Sequence, residues 1–118
     1  MRWDARITLS DTGTGSADIS YARGIENKEH FFYTDAYDGQ VEVFLDKDGI
    51  TMFRQGEDHL TELYHHASSY IRVTGEEGEI RFDIKVLAFI FNDDILSMRY
   101  LIEDDEKVLE IQFIRSSK

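Results

Sequence analysis

The chain has 118 residues, 24 Asp and Glu against 13 Lys and Arg, a net charge of −11, and neither Cys nor Pro. That length suits a single domain of the common ~100–150-residue size, and 8 Phe, 6 Tyr and 1 Trp supply a core that a disordered acidic tail lacks. The acidic excess opposes phosphate backbones and anionic membranes, and the lack of Cys removes disulfides, thiolate metal sites and Cys nucleophiles.

In chain order, the dominant hydrophobic period is two, the mark of half-buried strands. Trp3, Ala5, Ile7 and Leu9 alternate with Arg2, Asp4, Arg6 and Thr8. Ile19, Tyr21 and Ile25 follow within Ala17–Asn27, and His30–Tyr37 reads as an aromatic-rich strand. Val41, Val43 and Leu45 alternate with Gln40, Glu42 and Asp46, and Ile50 and Met52 begin the next strand. His59–Ser68 is the best helix candidate and is read as a strand or a short helical turn; Ser69–Thr74 follows. Glu79–Phe91 is long, with Ile80, Phe82, Ile84, Val86, Ala88 and Ile90 on one face. Leu96, Met98, Tyr100 and Ile102 line one closing strand, and Leu109, Ile111 and Phe113 the last.

Turn signals separate these runs at Asp38-Gly39, Asp48-Gly49, Gly56-Glu-Asp58, Gly75-Glu-Glu-Gly78, Asn92-Asp-Asp94 and Asp104-Asp-Glu106. Thr12-Gly-Thr-Gly-Ser16 reads as a flexible loop. No composition break or linker divides residues 1–118. The expectation is one all-β domain, an antiparallel up-and-down barrel of about eight to ten strands, because closure removes the exposed edges of so long a meander. The longest apolar run, Val86–Phe91, is far short of a ~20-residue span, and no secretory signal pattern is visible. A cytoplasmic setting is expected.

The stretch Asp48-Gly-Ile-Thr-Met-Phe-Arg-Gln-Gly56 resembles the strand ending in Arg-x-Gly of the YwiB-like family, small uncharacterised bacterial proteins with a calycin-like (lipocalin-like) barrel. Gly78-Glu-Ile-Arg-Phe-Asp-Ile-Lys-Val86 resembles that family's Gly-led long strand, and Ile95–Leu101 with Val108–Ile114 its closing hairpin. The resemblance spans about residues 40–115 and departs from the pattern at Tyr64-His-His66. It implies a calycin-like barrel and no particular activity, since fold is not function.

Arg54 follows Ile50 and Met52 at period two, and Arg23 follows Ile19 and Tyr21, so both are expected to point inward. Calycin barrels often anchor a ligand carboxylate with interior Arg and Tyr. A buried guanidinium demands an anionic partner, either such a ligand or an internal carboxylate. The expected ligand site comprises Arg54 and Arg23 with Tyr21 and Tyr100, and Trp3 and Phe82 as apolar lining. Tyr64 is a further hydroxyl candidate.

His59, His65 and His66 lie close in sequence, with Glu62 and His30 as possible additions, yet residues six apart on a strand are ~20 Å apart and cannot share an ion. No metal is expected. Asp46-Lys-Asp-Gly49 fails as a calcium loop, since its first and twelfth ligands would be Phe44 and Gln55. Gly13-Thr-Gly-Ser16 lacks the spacing and Lys of a phosphate loop, and no Gly-x-Ser-x-Gly occurs. The acidic pairs, such as Glu76-Glu77 and Asp93-Asp94, lie in turns and read as solvated.

Leu87, Phe89 and Phe91 occupy the other face of a strand already apolar on one side, which calls for intrachain cover or a homodimer interface. The chain is therefore expected to be a non-enzymatic binding module holding a small apolar or amphipathic acid, without cofactor. The alternatives are an interaction module or homodimer with a filled barrel and, more weakly, a metal- or His-dependent enzyme. Neither nucleic acid nor membrane is expected as a partner.

Overall fold

Strand alternation runs through the whole chain in the computed structural model, which describes residues 1–116. The strands are β1 (Trp3–Asp11), β2 (Ala17–Ile25), β3 (His30–Thr34), β4 (Gln40–Asp46), β5 (Gly49–Gln55), β6 (Leu60–His65), β7 (Ser69–Gly75), β8 (Gly78–Phe91), β9 (Ile95–Ile102) and β10 (Asp105–Arg115). His59–Ser68 resolves into β6 and its turn, so the helical option falls away. The strand expected over His30–Tyr37 stops at Thr34, because Asp35 opens a loop.

All ladders are antiparallel, in the spatial order β2-β1-β10-β9-β8-β7-β6-β5-β4-β3. The β1–β10 ladder brings the two halves together, from Trp3 opposite Arg115 to Asp11 opposite Lys107. The outcome is a single all-β, nearly closed barrel. Its two edges, β2 and β3, face each other across a seam without a ladder. They are consecutive in sequence, joined by residues 26–29.

Inward-facing positions fill most of the barrel. Val43, Ile50, Leu96, Met98 and Ile111 are completely buried. At the end where β1 begins and β10 finishes, rings form a plug. Phe31 meets Phe113 edge-on at 5.8 Å, and Phe91 lies 6.2 Å from Phe113. The Lys28 ammonium sits 4.9 Å from the Trp3 ring centre and donates to the Asp93 carbonyl at 2.5 Å. Gly49 is required by a close approach, since a Cβ there would collide with the His65 carbonyl and the His66 ring.

Two departures from simple alternation matter. Along β8 the register slips between Val86 and Ala88, so Leu87 is an extra residue and the inward parity inverts beyond it. Phe89 and Phe91 therefore turn inward and pack against the core, while Leu87 stays outside and Ile90, read on the same face as Val86, is turned out. The shared outer face expected for Leu87, Phe89 and Phe91 is thus divided by the bulge. On β2, Ala22, Ser20 and Asp18 sit opposite the inward Ala5, Ile7 and Leu9. Residues opposite each other share a face, so Ile19, Tyr21 and Arg23 keep their common parity but lie on the outer surface.

Truncating the core should cost what a cavity costs. Ile111→Ala and Met98→Ala are each expected to lower unfolding free energy by about 2–5 kcal/mol. Ile114→Ala, on the outer face, should change it by less than about 0.5 kcal/mol, with urea midpoints as the measurement.

Candidate functional site

Opposite the ring plug, the barrel is not filled. A cavity of about 270 Å³ occupies this half, walled by Ile7, Leu9 and Leu109 on one side and Val41, Met52, Leu63 and Ile71 on the other. Tyr33, Val41, Arg54 and Thr61 form one inward row across β3 to β6, since each lies opposite the next in the ladders. The rim includes Asp18 and Ser20 of β2 and Asp35, Ala36 and Tyr37 after β3. The cavity mouth thus coincides with the seam.

Arg54 carries the inward parity of β5 into this space, and its guanidinium is met by Asp35. The Arg54 Nε–H donates to Asp35 Oδ2 in a short contact, and a second guanidinium nitrogen lies 3.4 Å from Oδ1. The same carboxylate accepts the backbone N–H groups of Tyr37 and Gly39, each at 2.9 Å, and so shapes the loop that follows β3. The pair is largely withdrawn from water, with 14% of the Asp35 side chain and 34% of the Arg54 side chain exposed. Gly39 makes the geometry possible: a Cβ there would stand 2.5 Å from the guanidinium. Burial pushes the Asp35 carboxyl up, but the hydrogen bonds from Arg54, Gly39 and Tyr37 outweigh it and hold the carboxyl below its usual range. The hydrogen bond to Asp35 likewise raises Arg54 against the opposing effect of burial.

Two further polar features define the site. Tyr37 reaches across the seam and donates its hydroxyl to Asp18 Oδ1 at 2.9 Å, so the two unpaired edges are latched at the mouth by side chains. The Asp18 carboxylate raises the Tyr37 phenol in turn. Inside, Tyr33 and Tyr100 line the cavity, and neither hydroxyl has a hydrogen bond among the described residues. Burial pushes the Tyr100 phenol up to about 12 and the Tyr33 phenol higher still, so both stay protonated donors at neutral pH.

Of the six residues expected around a ligand, Arg54 and Tyr100 line the cavity. Arg54 is engaged by an internal carboxylate rather than left open to a ligand. Arg23 and Tyr21 lie outside the barrel, where the guanidinium stands 5.3 Å over the Tyr21 ring. Apolar periodicity misled here, because β2 buries its small and polar residues and displays its larger ones. Trp3 belongs to the ring plug at the far end. Phe82 lies opposite Ile71 in the ladder but is not part of the cavity wall. The histidines do not converge. His65 Nδ1 is 2.7 Å from the Ser69 hydroxyl with its ring against Phe89, and His66 Nε2 is 3.0 Å from the Thr51 hydroxyl. No group of three His, Cys, Asp or Glu side chains among the described residues is placed to hold a metal. Tyr64 stacks on Tyr70 at 5.3 Å, away from the cavity.

Sequence reading missed Asp35, Tyr33, Thr61 and the pair Asp18 and Ser20. A signal existed for two of them: Phe31, Tyr33 and Asp35 share one parity, which carries an acid into line with inward rings.

No protein-family model matches the chain. No curated protein matches it either. A solved structure, the crystal structure of the ywiB protein from Bacillus subtilis, is similar at 10% identity and a TM-score of 0.41, over 98% of this chain and 90% of that one. No helix among the described residues is long and apolar enough to cross a membrane.

The Asp35 environment sets a sign for acid stability. Its folded pKa lies below the ordinary value, so the ionised carboxylate stabilises the fold above about pH 4 and that contribution is lost as pH falls through the folded pKa. Asp35→Asn should make the loss of stability between about pH 5 and pH 2 shallower than in the parent chain, as read from urea midpoints at each pH.

Proposed function

We propose that this protein is a non-enzymatic binding barrel that holds one small apolar or amphipathic molecule in the seam-side cavity. The observation that carries this reading is the contrast between the two halves of one interior. Rings plug one end, whereas the other keeps about 270 Å³ of apolar-walled space beside two hydroxyls that have no hydrogen bond among the described residues. A dry apolar cavity of about 150 Å³ takes a benzene molecule, so this one has room for roughly ten non-hydrogen atoms. Ligands of that size gain at most about 1.5 kcal/mol per atom and usually well below it, which points to micromolar affinity. Its ionised side chains support binding over catalysis. Arg54 is paired with Asp35, Asp18 takes the Tyr37 hydroxyl, and among the described residues no histidine lines the wall. A cysteine-free chain suits the cytoplasmic setting this reading assumes.

A second reading, self-association, draws on Leu87 and Ile90, which stay exposed on the outer face of β8. A single species of monomer mass in sedimentation at tens of micromolar would remove it.

Native mass spectrometry of freshly purified protein tests the first reading. A discrete added mass that is lost on denaturation is expected, and Leu63→Trp, which fills the cavity, should abolish it. A bare mass throughout, unchanged by saturating small apolar compounds, would overturn the proposal.

A further inference from the structure

We infer that the headgroup accepted by this cavity is an uncharged oxygen acceptor, of the kind a ketone, aldehyde or ester presents, and that carboxylates are excluded by Asp35. The inference rests on the binding reading above and names the chemistry of the same site. Among the described residues the only cation in the wall is Arg54, and it is already neutralised. A ligand carboxylate would have to displace Asp35, which also holds the N–H groups of Tyr37 and Gly39. Displacement would leave those donors unmet and set two like charges side by side. Short of displacing it, the acid would be desolvated next to Asp35 and Asp18, without a counter-ion. A cationic amine meets the opposite difficulty. Its attraction is to Asp18 at the rim, which is in water, while the inner wall offers no free carboxylate. What the interior offers is hydroxyl donors: the Tyr33 and Tyr100 hydroxyls have no hydrogen bond among the described residues and stay protonated. A single carbonyl or ether oxygen carried in by an apolar chain satisfies such a donor at no cost in buried charge.

Matched probes of equal chain length make the test: 2-nonanone, nonanoate and nonylamine, titrated at neutral pH by calorimetry and by amide chemical shifts. The ketone should bind at least about tenfold more tightly than either charged probe, a gap of ~1.4 kcal/mol. The double variant Tyr33→Phe/Tyr100→Phe, which keeps the ring volumes, should erase most of that advantage. Asp35→Asn, whose amide oxygen can still accept the loop N–H groups, should gain several-fold in nonanoate affinity. Three probes binding within threefold of one another would leave the cavity reading standing and overturn the headgroup inference. Tighter binding of nonanoate or nonylamine would overturn it likewise, in favour of an acid or an amine. Unchanged nonanoate affinity in a folded Asp35→Asn protein would remove Asp35 as the excluding group. Failure of every probe to bind would overturn both readings together.

Discussion

An arginine that follows the apolar parity of a strand into a barrel must find an anion there or disrupt the interior. Asp35 is the anion that Arg54 finds, and the cavity half of the molecule is arranged around that meeting. The carboxylate ends β3 after Thr34 and gathers the N–H groups of Tyr37 and Gly39, while the guanidinium it holds leaves no space for a side chain at Gly39. The loop so formed carries Tyr37 to Asp18 on the opposite edge. One ion pair thus positions the loop, the rim and the latch, and its neutrality gives the cavity its apolar character.

The two ends of the barrel use the same alternation for different results. Where Trp3, Phe31, Phe91 and Phe113 converge, ring volume exhausts the space. Where Asp18 and Ser20 face inward instead, the small side chains of β2 leave a gap that the opposite wall does not fill. The β8 bulge contributes to this asymmetry. By inverting parity after Val86, it sends Phe89 and Phe91 to the closed end, whereas regular alternation would have put them outside.

Much of the fold is legible in the sequence because period two and turn residues are local signals. All ten strands fall on runs that alternate or sit between Asp-Gly and Gly-Glu turns. The inward course of Arg54 and Tyr100 is legible for the same reason. What is not legible depends on partners far along the chain. Whether Ile19 and Tyr21 or Ser20 and Ala22 face inward is settled by the register of β2 against β1, a long-range choice. The Leu87 bulge is invisible because either face of Val86–Phe91 is apolar enough to be buried. Asp35 reads as an ordinary turn acid until Arg54 is placed beside it.

The seam has a consequence for how the barrel moves. Every other neighbouring pair of strands is held by a ladder of backbone hydrogen bonds, and β1 with β10 joins segments from opposite ends of the chain. At the seam the work passes to the covalent chain. Residues 26–29 tether β2 to β3 at the plugged end, so the two edges cannot drift apart there. At the mouth, among the described residues, side chains span the gap, with Tyr37 donating to Asp18. The join is therefore tied by the chain at one end and by a phenol–carboxylate hydrogen bond at the other, so parting the mouth breaks that bond and none of the ladders.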